Sequence, residues 1–195
     1  MNVETTSEQP TTVERKTHPP LVSSALFGVI YCDPPWRYDF AACEETSIEK
    51  HYPTMATEEI CALKVPAADD AHCYIWTINR YIEQTYAVAR AWGFEPSTML
   101  YWLKQPMGLG LGGAFVPCVE PILFARRGNL PTKGRIDRNW WGWPRGKHSA
   151  KPEAFQSIVE RVSPGPYLEL FARRKRHGWA SWGNEIASDV EMPNK

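Results

Sequence analysis

Asp33-Pro34-Pro35-Trp36 is the most specific chemical signature in the sequence. Some amines are poor nucleophiles because the lone pair is delocalised into an aromatic ring. A carboxylate and a backbone carbonyl that accept the two hydrogens of such an amine favour the geometry in which its nitrogen attacks an electrophilic carbon. The Asp33 side chain and the Pro34 carbonyl can form this pair. Two consecutive prolines fix their φ angles and donate no N–H, so the carbonyl is held at low entropic cost. Trp36 adds a π face suited to a nucleobase. Together these residue types suit methylation of an exocyclic amine on a base. The plainer alternative is an Asp-Pro turn with Trp36 filling the core.

Those residues need elements to position them. The run Phe27–Cys32 is apolar and strand-sized, and it stops where proline follows, so Asp33 is placed at a strand end. Thr57, with Glu58 and Glu59 behind it, reads as a helix start. A strand over Cys73–Thr77 and a helix from about Arg80 to Trp92, closed by Gly93, come next. Further strands are predicted near Thr98–Leu103 and at Glu120–Ala125, with a glycine-rich loop from Gly108 to Gly113 between them. That loop has no following GK[ST] and opens no helix after a strand, so it is neither a P-loop nor a dinucleotide fingerprint. Pro152 falls in the first turn of a helix running to about Val162, and a strand follows at Tyr167–Phe171. This alternation predicts an α/β domain with a mostly parallel sheet, whose ligands bind beyond the carboxyl ends of the strands.

A length of 195 residues, 43% of them apolar, suits one domain with a substantial core. Residues 1 to 24 are polar and read as a flexible tail, 25 to 187 as the domain and 188 to 195 as a C-terminal tail. No stretch has the length of a membrane span or the order of a signal peptide. Cys32, Cys43, Cys61, Cys73 and Cys118 form an odd set without a close CxxC pair. They read as reduced thiols in a cytoplasmic protein, and no metal is expected.

Net charge is zero, but it is unevenly spread. From Lys104 to Arg176 there are 14 basic and 5 acidic residues, a local excess of nine. Arg126, Arg127, Lys133, Arg135, Arg138, Arg145 and Lys147 flank Trp140, Trp141 and Trp143, so phosphate attraction and base stacking would act together. The alternative is a solvated surface balanced by acidic groups elsewhere in the fold.

Other segments carry a resemblance. His51-Tyr-Pro-Thr-Met55, Trp92-Gly-Phe94, Glu120-Pro-Ile-Leu-Phe124 with Arg127-Gly128, His148-Ser-Ala-Lys-Pro152, and Tyr167-Leu-Glu-Leu-Phe-Ala-Arg173 through Trp182-Gly-Asn-Glu185 follow the Asp33-Pro34-Pro35-Trp36 tetrapeptide. In this order the chain resembles the MT-A70 family of S-adenosylmethionine-dependent adenine N6 methyltransferases, in particular its short bacterial and phage members. The resemblance covers about residues 25 to 187.

It implies a Rossmann-like methyltransferase fold, S-adenosylmethionine as cofactor and transfer of its methyl group to adenine N6 in nucleic acid, DNA more than RNA. Asp33, Pro34, Pro35 and Trp36 become the catalytic set. Lys151 matches the lysine that meets the methionine carboxylate, and Asp33 the group that binds its amino nitrogen. Arg173, Asn184 and Glu185 match positions around the ribose and adenine. Glu169 either orients these groups or pairs with a neighbouring arginine, and His148 either orients Lys151 or caps the following helix. Tyr52 borders the target base or anchors a loop, whereas Met55 packs. With Trp36 and Tyr52, the basic residues Arg126, Arg127, Arg135 and Arg138 are the expected substrate contacts. Just before Glu120 the chain reads Phe115-Val-Pro-Cys-Val119, where family members often carry a basic residue. RNA adenine N6 methylation, cytosine N4 methylation and a catalytically silent nucleic-acid-binding subunit remain alternatives. The size of the chain suggests loose sequence preference, single-stranded substrate, or help from a second copy or partner subunit.

Overall fold

The computed structural model describes residues 25–37, 54–107, 114–146 and 150–190. Tyr52, Lys147, His148, the Gly108–Gly113 loop and the N-terminal segment 1–24 lie outside the described residues. The elements run β1 (Phe27–Cys32), α1 (Thr57–Cys61), β2 (Ala67–Trp76), α2 (Ile82–Ala91) behind a 3-10 turn at Asn79–Tyr81, β3 (Glu95–Gln105), β4 (Val119–Arg127), β5 (Trp140–Pro144), α3 (Glu153–Val162), β6 (Tyr167–Leu170) and β7 (Trp179–Trp182).

Among the described residues the strands form one sheet, ordered β5-β3-β4-β2-β1-β6-β7. Strand β1 pairs in parallel with β2 and β6, β6 with β7, and β3 with β5. Only β4 runs the other way, antiparallel to both β2 and β3. The sheet is therefore mostly parallel, as predicted. Strand β1 is buried along its whole length, which explains its unbroken apolar run.

Two apolar layers sandwich the sheet. Ile60 of α1 and Val88 and Ala89 of α2 pack with Ile30, Cys32, Cys73, Ile75 and Leu123 on one face. Phe155 and Val159 of α3 pack with Val29, Tyr31, Tyr74, Trp76 and Ile122 on the other. The helix that follows β1 covers one face and the helix that precedes β6 covers the other, so the gap at the carboxyl ends of β1 and β6 is the switch point of an open α/β sheet. Gly93 closes α2 as the sequence predicts. Its φ is +79°, and the N–H groups of Gly93 and Phe94 return to the carbonyls of Arg90 and Ala89.

Three expectations change. Trp141 and Trp143 do not serve as base-stacking surfaces. They lie on β5, stack on each other with ring centroids 5.9 Å apart, and pack with the α3 layer, while the Trp143 carbonyl accepts the Trp102 indole N–H. Two tryptophans separated by one residue in a strand share a face, and here that face is the core. Trp140 points the other way and is 50% exposed. Strand β7 also forms where no strand was predicted. Finally, Ser188, Asp189 and Val190 are not a loose tail. The Asp189 N–H donates to the Ser181 carbonyl of the edge strand, the Ser181 N–H donates to the Asp189 carboxylate, and Val190 is buried in the core. This covers part of an otherwise open sheet edge.

Candidate active site

The tetrapeptide leaves β1 at the switch point. The Pro34 carbonyl accepts the Trp36 N–H at 2.9 Å, and the Pro35 carbonyl accepts the Met55 N–H at 2.8 Å. A carbonyl oxygen has two lone pairs, so the turn that fixes Pro34 leaves it one acceptor position. Trp36 is 6% exposed and stacks on Tyr81, with centroids 5.4 Å apart and planes 7° from parallel. Tyr81 is fixed in turn because its hydroxyl donates to the Arg37 carbonyl at 2.6 Å. One face of the Trp36 ring is therefore covered by protein. Met55 packs against the core beside it, as expected.

Asp33 faces a cavity lined by Tyr31, Lys151, Gln156, Glu169, Phe171 and Arg173 among others. Lys151, just ahead of α3, donates to Asp33 Oδ2 at 2.6 Å, and the side chains are 17% and 27% exposed. Such a half-buried pair holds each charge against the cost of leaving water. On its other side the Lys151 ammonium lies 3.5 Å from Glu120 Oε2, and it sits over the Trp76 ring, 5.5 Å from the centroid. Burial alone would pull the Lys151 pKa down, but Asp33 and Glu120 outweigh it, so the ammonium is held above its usual range.

Glu169 enters from β6. Its carboxylate accepts the Gln156 amide at 2.7 Å, yet burial dominates and pushes its pKa up to about 7. Its hydrogen-bond partner is thus a glutamine, while the charges of Arg174 and Arg176 also act on it. Past β6 the chain turns sharply at Phe171, whose φ of 60° is in the left-handed region. Gly183 then passes against the Ala172 backbone, so close that a Cβ there would lie 2.1 Å from the Ala172 carbonyl oxygen. This contact brings the ends of β6 and β7 together. Beyond it Arg173 and Glu185 pair at 3.8 Å, both partly exposed, with Asn184 half-buried beside them.

The structure thus gathers Asp33, Lys151 and Arg173 in one cavity; Glu185 reaches it only through its pair with Arg173, and Asn184 is not among the lining residues. It does not gather the arginines. Because β4 is reversed, Arg126 and Arg127 pair with His72 and Ala71 near the start of β2, whereas Asp33 follows Cys32, which pairs with Ile75. At about 3.3 Å per residue this separates them by roughly 13–17 Å along the strands. Arg127 lies 4.0 Å from Asp69, Arg126 donates to the Leu130 carbonyl, and Arg135 pairs with Asp137. Arg138 is exposed ahead of β5, at the end away from Pro144.

The residues that the sequence reading did not single out are Glu120, Lys104, Gln156 and Trp76. A lone carboxylate at the head of an apolar strand, Val119-Glu-Pro-Ile-Leu-Phe, was the available signal for Glu120.

A comparison with protein families matches the MT-A70 model over residues 27–185, which takes in the whole cavity. The chain belongs to the MT-A70 family. It is 30% identical to the type II methyltransferase M.MunI of a Mycoplasma species, covering 90% of this chain and 85% of that protein. It is 29% identical to an N(6)-adenosine-methyltransferase MT-A70-like protein of Arabidopsis thaliana over 82% of this chain, but only 24% of that protein. With the N(6)-adenine-specific methyltransferase METTL4 of Homo sapiens it shares 26% identity over 82% of this chain and 37% of that protein. This chain therefore spans most of the bacterial relative and a quarter to two fifths of these two eukaryotic ones.

The cavity fits the cofactor that MT-A70 methyltransferases use. S-adenosylmethionine presents a carboxylate and an ammonium at one end and ribose hydroxyls at the other. The cavity offers a charged lysine beside an aspartate, and an arginine that pairs with Glu185. No helix among the described residues is long and apolar enough to cross a membrane.

Proposed function

We propose that this protein transfers a methyl group from S-adenosylmethionine to the N6 amine of adenine in nucleic acid, with DNA as the substrate. The observation that carries this reading is the Asp33–Lys151 pair in a cavity at the sheet's switch point, directly ahead of the Pro34-Pro35-Trp36 turn. Similarity to a bacterial type II methyltransferase over most of both chains supports DNA. The proposed setting is the cytoplasm.

When bound, the cofactor supplies an electrophilic methyl group. Lys151 holds its carboxylate, and Asp33 lies within reach of its ammonium. Arg173, Asn184 and Glu185 meet the ribose and adenine. Asp33 and the spare lone pair of the Pro34 carbonyl accept the two N6 hydrogens of the target adenine, which turns the nitrogen lone pair toward the methyl carbon. Trp36, backed by Tyr81, fixes the turn that carries both acceptors and borders the base. The protein contributes orientation and fixed polar groups, a class of effect worth up to roughly 7–11 kcal/mol in well-aligned cases. In a duplex the target base has to leave the stack before it reaches Asp33.

The test is incubation of the protein and its Asp33→Ala variant with labelled S-adenosylmethionine and matched DNA or RNA oligonucleotides, followed by mass spectrometry of nucleosides. N6-methyladenine in DNA, formed only by the unaltered protein, is expected. N4-methylcytosine or methylated RNA would replace the substrate, and product from Asp33→Ala would overturn the site.

A further inference from the structure

We propose that Glu120 is a positioning residue of this site: entering on the reversed strand β4, its carboxylate holds the Lys151 ammonium in place from the side opposite Asp33, with Lys104 securing Glu120 in turn. The inference rests on the cofactor-binding role of Lys151 proposed above.

Four charges alternate across one end of the sheet, where β1 and β3 finish and the reversed β4 begins. Asp33 contacts Lys151, Lys151 lies 3.5 Å from Glu120 Oε2, and the other oxygen, Oε1, contacts Lys104. They come from four different places: the end of β1, the loop before α3, the start of β4 and the end of β3. Glu120 pairs across the sheet with Trp102, and Lys104 lies two residues on from Trp102, so all three share a face. That face is floored by two indoles in edge-to-face contact, Trp76 and Trp102, with Lys151 over the first and Lys104 over the second.

Glu120 is nearly buried, with 11% of its side chain exposed, and its Oε2 makes no hydrogen bond. A buried carboxylate oxygen without a donor is costly unless a neighbouring positive charge compensates it. Lys151 is that charge, and the cost explains why the carboxylate serves position better than stability. Glu120 does not line the cavity, so it acts through Lys151. A lysine tethered only by Asp33 would follow Asp33 when that carboxylate turns to an incoming amine. A second carboxylate at its back keeps the ammonium where a ligand carboxylate can meet it.

The charged groups around Lys151 are Asp33 from β1, Glu120 from β4 and Arg173 from beyond β6, the last opposing the first two. Removing the Glu120 charge should therefore ease deprotonation of Lys151. The experiment follows the lysine side-chain carbons of the intact protein by NMR from pH 7 to 12, with the Lys151 signal assigned by its loss in Lys151→Arg. It compares the wild type with Glu120→Gln and Glu120→Asp. Binding of S-adenosylhomocysteine is measured by calorimetry over the part of that range in which each protein stays folded.

In Glu120→Gln the Lys151 midpoint is expected to fall by roughly one to three pH units, the usual effect of losing a close opposite charge. The alkaline loss of S-adenosylhomocysteine binding should move down with it, and Glu120→Asp should restore much of both. A structural lesion would instead weaken binding equally at every pH. An unchanged Lys151 midpoint in Glu120→Gln would overturn the proposal. A midpoint that falls in a protein whose wild type binds no S-adenosylhomocysteine would support the Glu120–Lys151 coupling and overturn the cofactor reading.

Discussion

Asp33 and Lys151 stand 118 residues apart in the chain and 2.6 Å apart in the fold. Neither is fully buried, and neither has a closer charged partner among the described contacts. Replacing Lys151 by Met removes the counter-charge of Asp33 and of a ligand carboxylate together. A hydrogen bond to a charged group contributes about 1.5–3 kcal/mol, so affinity for S-adenosylhomocysteine should fall roughly ten- to hundredfold. Calorimetric titration measures this, and wild-type affinity in Lys151→Met would remove Lys151 from the cofactor site.

Glu169 makes stability depend on pH. Its pKa rises from 4.5 to about 7 on folding, with burial as the main cause. Between those values the native state binds more protons than the unfolded one. Glu169 therefore contributes most below pH 4.5, and that contribution is lost as pH rises through 7. Glu169→Gln should match the wild type near pH 4.5 and exceed it by about 3 kcal/mol near pH 8. Thermal melts of the cofactor-free protein from pH 5 to 8.5 check this. A constant difference across that range would mean that the carboxyl is not held neutral.

His72 acts in the opposite direction. Burial, then the charge of Arg126, lowers its pKa, and the ring is held between the Ser163 hydroxyl and the Leu130 carbonyl. A histidine kept neutral in the fold favours protonation of the unfolded state, so stability should drop as pH falls through about 6.5. In His72→Gln this acid-side loss should shrink although the variant is less stable at pH 8. Denaturant titrations at pH 5.5 and 8 measure both.

Gly183 tolerates no side chain. A Cβ would sit 2.1 Å from the Ala172 carbonyl oxygen and 2.9 Å from its nitrogen, both backbone atoms that cannot swing aside. Gly183→Ala should cost about 2–3 kcal/mol, lowering Tm by roughly 5–10 °C, and should loosen cofactor binding by parting the ends of β6 and β7. Gly178→Ala is the contrast. Nothing lies within 4 Å of a Cβ there, so only the strain of its φ of +79° remains, about 1–2 kcal/mol, with cofactor binding intact.

Arg126 and Arg127 lie at the far end of β4 from Asp33. If phosphates are bound there, they belong to a long substrate and not to the nucleotides flanking the target. Changing both to Ala should leave turnover of a short oligonucleotide unaltered, while the salt dependence of binding to long DNA becomes shallower by about two units. An unchanged salt slope would remove them from the interface.

Much of this was legible because local pattern and tertiary role agree. The apolar runs at Phe27–Cys32 and Tyr167–Leu170 are buried parallel strands, and the glycine after α2 is its cap. Asp33 is legible from the chemistry of the Pro-Pro-Trp that follows it, and Lys151 from the resemblance to the MT-A70 family. Strand β5 was obscured by its Trp-Trp-Gly-Trp-Pro composition between basic residues, which suggested a binding surface. Two differences at the site share one cause. Glu120 joins the site and the Arg126–Arg127 pair leaves it because β4 runs backwards, and strand direction is a property of the assembled sheet that no local spacing encodes.

The reversed strand has another consequence. Antiparallel neighbours need no helical crossover, so the end of β3 and the start of β4 lie together at the same end of the sheet as Asp33, with Met107 and Phe115 exposed beyond them. Elsewhere at this end of the sheet, β2 and β5 lead into α2 and α3, which pack on the core. The chain between β3 and β4 can grow or shrink without rethreading the sheet or disturbing the pairing of Leu103 with Val119. Length between Met107 and Phe115 can therefore vary while the charges of Lys104 and Glu120, held within paired strands, keep their places.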